Sequence, residues 1–143
     1  MNGHVTVSCF VVQDNKTLLL WHKAMQRYQQ PGGHIDPGET DIFEVAIREL
    51  KEETGLDAER VEGEFYNCPI NIGVNFKVKE NKIKNEGEHF HFDLFIFLKL
   101  KNTEQELINE DDGTENVTWI NLNEVKQETN PYVFETILKF KSL

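Results

Sequence analysis

From Asp41 to Gly55 the chain carries one complete helix signature, and what that helix displays limits every larger structure it can join. Asp41 followed by Glu44 is a D-x-x-E capping pattern, in which the Asp side chain accepts a first-turn backbone N–H that has no intrahelical partner. Gly55 stands where a left-handed residue ends a helix, so the helix body is expected over Ile42 to Thr54. At about 100° per residue, Phe43, Ile47, Leu50 and Thr54 share a narrow stripe that predicts the core-facing side. Glu49, Glu52 and Glu53 fall on an adjoining face at spacing i, i+3, i+4, where carboxylates repel one another. Two readings are open: a solvated face paired with Arg48 and Lys51, or oxygen ligands for a hard divalent cation such as Mg²⁺ or Mn²⁺.

The segment before the helix favours the cation. Gly32 and Gly33 let the backbone approach a ligand closely, and the Gly33 carbonyl offers a further hard oxygen. Glu39 adds a carboxylate, and the helix N-terminus places partial positive charge beside anything bound in the loop. His34 follows directly and either lines the same site or makes a loop hydrogen bond.

Around this helix the pattern is mostly extended. Strands are expected over Val5 to Val12 and Thr17 to Trp21, joined in a hairpin at Asp14-Asn15, with a short strand in Gln30 to Asp36. Further strands are expected over Glu62 to Ile70, Ile72 to Val78, His89 to Lys99 and Val117 to Ile120, and a last helix over Tyr132 to Phe140. Polar stretches at Lys77 to Glu88 and Asn102 to Asn116 read as loops. Strands interleaved with two helices imply a layered α/β or α+β domain, and 143 residues without repeat or linker suit one domain over 1–143. On the strand from His89, alternation puts His89, His91, Asp93, Phe95 and Phe97 on one face and Phe90, Phe92, Leu94, Ile96 and Leu98 on the other, one of them core. A zinc site there is disfavoured, since no Cys lies nearby and only His34 offers a third imidazole.

A net charge of -10 argues against a partner made of long nucleic acid, which calls for clustered Lys and Arg. It does not exclude a small polyphosphate, provided divalent cations stand between its oxygens and the protein's carboxylates. No apolar run approaches the about 20 residues of a membrane span, and Met1 to Phe10 lacks a signal-peptide pattern. Cys9 and Cys68 form no framework, which suits a reducing, cytoplasmic setting.

Gly33 to Leu56, GHIDPGETDIFEVAIRELKEETGL, resembles the Nudix box, matching it at Gly33, Glu39, Arg48, Glu49, Leu50, Glu52, Glu53, Gly55 and Leu56. One departure is visible: eight residues rather than seven separate Glu39 from Arg48, which makes Thr40 the extra one and bears on where Glu39 sits. Leu18 to Asp36, EHFHFDLFIF and ENVTWINLNEV extend the likeness over most of the chain. The resemblance implies a mixed sheet between helices in an α/β/α sandwich, and metal-dependent hydrolysis of a nucleoside diphosphate linked to another group. It assigns Glu52 and Glu53 as principal ligands of Mg²⁺ or Mn²⁺, Glu49 as ligand or general base, and Arg48 as the residue orienting a glutamate. A further ligand is sought among Glu110, Asp111, Asp112 and Glu115, with Glu115 preferred. Gly32, His34, Glu39, His91 and Arg27 are the candidates for substrate contact, while Trp21, Tyr28 and Trp119 either stack on a base or pack, and Lys23 either meets phosphate or is solvated. A silent nucleotide sensor and an isoprenoid diphosphate isomerase on the same fold are the alternatives. Substrate identity stays open among diphosphate-bearing nucleotides, and a homodimer is compatible with the resemblance.

Overall fold

Asp14 and Asn15 both take positive φ, 49° and 60°, the twist that a two-residue hairpin requires. They join β1 (Gly3–Gln13) to β2 (Lys16–His22), with Val12 opposite Thr17 and Gln13 opposite Lys16, as the sequence predicts. The structure, a computed structural model, describes residues 3–78, 87–108, 113–126 and 129–143, with the backbone alone over 75–78.

Among the described residues, eight strands join in one mixed sheet. The long strand β7 (His89–Leu100) runs parallel to β1, from Gly3 beside Phe90 to Val11 beside Leu98. It also pairs antiparallel with β6 (Asn71–Val78) and with β5 (Ala58–Arg60). Antiparallel to β1 lies the three-residue β4 (Gly32–His34), which places His34 beside Thr6, Gly33 beside Val7 and Gly32 beside Ser8. β2 carries β3 (Arg27–Gln29) and β8 (Thr114–Asn121).

Helix α1 (Ile42–Thr54) has the predicted bounds. The Asp41 carboxylate accepts the Phe43 N–H at 2.9 Å, and Gly55, at φ 75°, donates its N–H to the Lys51 carbonyl at 2.9 Å. The buried stripe is wider than expected: Val45 and Ala46 join Phe43, Leu50 and Thr54, whereas Ile47 is only partly buried. α1 packs Phe43, Val45, Ala46 and Leu50 against Val7, Cys9, Val11, Ile96 and Leu98. The other side of the sheet sends Phe10 and Phe95 toward Val133 and Ile137 of α2 (Pro131–Lys141), whose Asn130 cap accepts the Tyr132 N–H at 2.9 Å. The strand from His89 was expected to have one core face; β7 has two, because a helix covers each side of the sheet.

Glu62 to Ile70 does not form the expected strand. Its regular part is a 3₁₀ turn over Glu64–Tyr66 with Phe65 70% exposed, and β5 and β6 pair with β7 on either side of it in sequence. The short strands β3 and β5 were not expected, and β8 begins at Thr114, three residues earlier than predicted. Most of the Lys77 to Glu88 loop lies outside the described residues. Among the described residues no helix is long and apolar enough to cross a membrane.

Candidate active site

Arg48 is the centre of the site because helix spacing puts it beside Glu49 and one turn from Glu52, while β4 and the following loop come to it from outside. Its Nε donates to Glu39 Oε1 at 2.8 Å and its Nη2 to Glu39 Oε2 at 2.9 Å, a two-pronged grip on one carboxylate. Nη1 donates to Glu49 Oε1 at 2.8 Å and Glu52 Oε2 at 3.2 Å, and Nη2 also reaches the His34 carbonyl at 3.0 Å. Asp36 stands 3.8 Å from Nη2. One guanidinium thus faces four carboxylates, and Glu53 adds a fifth on the same helix. The Arg48 bonds hold Glu39 below the ordinary carboxylate range, whereas burial raises Glu49 against the opposing pull of Arg48.

Glycine is required twice in β4. The Gly32 N–H donates to Glu53 Oε2 at 2.8 Å, and a Cβ on Gly32 would lie 2.2 Å from the Val7 carbonyl oxygen. A Cβ on Gly33 would lie 2.5 Å from both carboxylate oxygens of Glu49. Both glutamates are buried, at 9% exposed each, while the Glu52 side chain is 58% exposed, so the three members of the helix face meet different surroundings. A cleft of about 730 Å³ is lined by His4, Gly33, His34, Arg48, Glu49 and Glu52. A second, of about 200 Å³, includes Leu20, Gln29, Gln30, His34, Glu53 and Thr114 in its walls.

The sequence candidates divide accordingly. Glu39, Glu49 and Glu52 meet on Arg48, with Gly33 and His34 at the same cleft, whereas Glu53 accepts the Gly32 N–H and lines the second cleft; the extra residue Thr40 is absorbed before the cap, leaving Glu39 on Arg48. His91 borders the second cleft. Arg27 lines neither cleft and directs Nη2 to the Met25 sulfur at 3.8 Å. Glu115 is placed beside Lys23, at 3.9 Å, and it is the neighbouring Thr114 that reaches the second cleft; Glu110, Asp111 and Asp112 lie outside the described residues. Trp21 meets Tyr28 edge to face at 5.3 Å between ring centres, and Trp119 packs against the α1 core, as packing residues do.

Residues missed from the sequence are His4, whose place beside His91 depends on a parallel pairing 87 residues apart, and Thr6 and Ser8, which donate to Asp93 at 3.1 and 2.7 Å. Only the register of β1 on β7 reveals them, though His4, Thr6 and Ser8 at alternate positions already share a face.

The model of the NUDIX domain matches residues 3–139. The chain belongs to the NUDIX family. This Nudix chain is 42% identical over 52 residues to the asymmetrical bis(5'-nucleosyl)-tetraphosphatase of Mus musculus, across 34% of its own length and 35% of that protein's. It is 43% identical over 60 residues to phosphatase NudJ of Escherichia coli K12, across 39% and 37% of the two lengths. Both likenesses therefore span little more than a third of the relative. Over 99% of its length the Nudix chain also superposes on 98% of a NUDIX family hydrolase from Clostridium perfringens, with a TM-score of 0.73 and 23% identity, a likeness of fold.

Proposed function

We propose that this Nudix chain hydrolyses the diphosphate bond of a nucleoside diphosphate linked to another group, by attack of water on phosphorus. The observation that carries the reading is the crowding of Glu39, Glu49, Glu52 and Asp36 around the single guanidinium of Arg48, beside a glycine strand. That excess of negative charge suits a divalent cation, and the donor set is all oxygen, which matches Mg²⁺ or Mn²⁺. Glu49, Glu52, Glu53 and the Gly33 carbonyl are the residues proposed to hold it. Such an ion, when bound, polarises phosphoryl oxygens and lowers the pKa of water.

The chain's own groups supply position. Arg48 holds Glu39 and Glu49 by hydrogen bonds, and is itself anchored on the His34 carbonyl. Glu49 lines the larger cleft and serves either as one of the cation's ligands or as the base that takes a proton from attacking water. The second cleft, with Leu20, Gln29 and Gln30, offers apolar and amide groups for the nucleoside end. The names of the mouse and bacterial relatives, a dinucleoside tetraphosphatase and a phosphatase, support a small nucleotide-like substrate.

The test is release of phosphate and nucleotide from a panel of nucleoside diphosphate derivatives with Mg²⁺ or Mn²⁺, comparing the wild type with Glu53→Gln. Release that requires the metal and collapses in the variant is expected. Tight binding without turnover by the wild type would replace the hydrolase by a nucleotide sensor.

A further inference from the structure

Three strands bring imidazoles to one point beside the glutamate site, whose Arg48 holds the His34 backbone carbonyl. His4 of β1 and His91 of β7 are register partners in the parallel pair, and His34 of β4 sits beside Thr6 on the other edge of β1. Ring centres are 5.5 Å apart for His4 and His34, 4.9 Å for His34 and His91, and 6.0 Å for His4 and His91. One nitrogen from each ring lies within 4.8 Å of the others, and all three rings are half-buried.

We propose that His4, His34 and His91 form a site for a borderline transition-metal ion, Zn²⁺ in the first instance, chemically separate from the carboxylate set on α1. Nitrogens at the corners of a triangle of that side stand about 2.8 Å from its centre, so movements of about 0.7 Å bring them to the about 2.0–2.1 Å of a Zn–N bond. Imidazole donors favour Zn²⁺ and its neighbours over Mg²⁺, whereas the all-oxygen set on α1 has the opposite preference. Three histidines leave one position of a tetrahedral ion for water or a substrate oxygen. The site is on the wall of the same cleft, since His4 and His34 line it together with Glu49 and Glu52.

A fourth histidine prepares His91. His89 is buried, at 4% exposed; its Nδ1 lies 2.7 Å from the Gly87 carbonyl and its Nε2 2.9 Å from His91 Nε2. A carbonyl only accepts, so Nδ1 of His89 carries the proton, and Nε2 of the neutral ring is left as an acceptor. His91 then donates through Nε2–H, which puts its lone pair on Nδ1. A ligand histidine whose remote N–H is held by a neighbour is the usual arrangement around a protein-bound metal. His89 acts through His91 and is a positioning residue.

The proposal does not depend on hydrolysis and is tested without it. Untagged protein in a Cys68→Ser background, which removes the exposed thiol as a competing ligand, is titrated with Zn²⁺ by calorimetry and with Co²⁺ by visible absorption. In excess Mg²⁺, which occupies the carboxylate set, one tightly bound ion per chain is expected, with the intense visible bands of four-coordinate Co²⁺. His4→Ala and His91→Ala are expected to weaken Zn²⁺ binding at least 100-fold and abolish those bands, and His89→Gln to weaken it about 10–100-fold. Glu52→Gln and Glu53→Gln are expected to leave Zn²⁺ affinity within about threefold, so failure of the hydrolase reading leaves this result standing. His4 is partly exposed near the start of β1, so its variant is expected to fold, which circular dichroism checks. Unchanged affinity in folded His4→Ala overturns the proposal. So does loss of Zn²⁺ binding in Glu53→Gln, which would place the ion on α1.

Discussion

Gly33→Ala is a substitution whose effect on chemistry should exceed its effect on folding. The new Cβ lies 2.5 Å from both oxygens of Glu49, and ordinary contact begins near 3.4 Å, so the carboxylate has to retreat by about 0.9 Å. It is the end of a flexible side chain, and an off-rotamer turn costs on the order of 0.5–1.5 kcal/mol. That retreat strains the 2.8 Å bond from Arg48 and moves Glu49 away from where the reaction needs it. A displacement of about 1 Å at a reacting group costs on the order of 10²-fold in rate. Gly32→Ala is the control: its Cβ meets the Val7 carbonyl oxygen at 2.2 Å and the Ser8 Cα at 2.8 Å, backbone that cannot swing aside. Its cost belongs to the fold, at about 1–3 kcal/mol or more. Urea denaturation followed by circular dichroism gives the stability of each variant, and turnover per folded molecule on the best panel substrate gives the activity. The reasoning is refuted if Gly33→Ala loses as much stability as Gly32→Ala while its folded fraction turns over at the wild-type rate.

Two further outcomes are expected. Arg48→Lys loses the fork that grips Glu39 while reaching Glu49 and the His34 carbonyl, so activity should fall about 10–100-fold and the metal activation curve should shift to higher concentration; an unchanged curve would contradict the positioning role. Burial raises the Asp93 carboxyl despite the bonds from Ser8 and Thr6, so its ionised form is the costly one. That cost is complete above the folded-state pKa and disappears as pH falls toward the unfolded value of about 3.9. Asp93→Asn keeps one acceptor oxygen and turns an amide N–H toward the other hydroxyl, which can rotate to accept it, and its urea midpoint should exceed the wild type's at pH 8 by more than at pH 4, an equal difference at both speaking against the account.

What was legible in the sequence was local. α1 agrees with its predicted bounds because cap, stripe and terminal glycine all act within one helix, and the hairpin agrees because Asp14 and Asn15 tolerate positive φ. The box of glutamates, Arg48 and glycines could be read for the same reason. What could not be read depends on contacts distant in the chain. Periodicity put Glu49, Glu52 and Glu53 on one face, yet only the arrival of β4 buries two of them and leaves the third exposed. His4 gained a meaning only through its parallel register with His91. Glu62 to Ile70 had strand-like residues, but β-propensity reflects a partner edge more than an intrinsic preference, and this segment forms a 3₁₀ turn instead.

The brevity of β4 bears on where the length of such a chain can drift. Successive side chains of a strand point to opposite faces, and here Gly33 serves the carboxylate of Glu49 while His34 turns to His91. An insertion within the strand would exchange those two duties, driving an imidazole into Glu49 and emptying its place beside His91. The added Thr40, by contrast, lies past the strand and ahead of the Asp41 cap, where Glu39 still closes on Arg48. Insertions are therefore absorbed between Glu39 and Asp41 and rejected between Pro31 and Ile35, so the same single residue is neutral or ruinous according to which side of one short strand receives it.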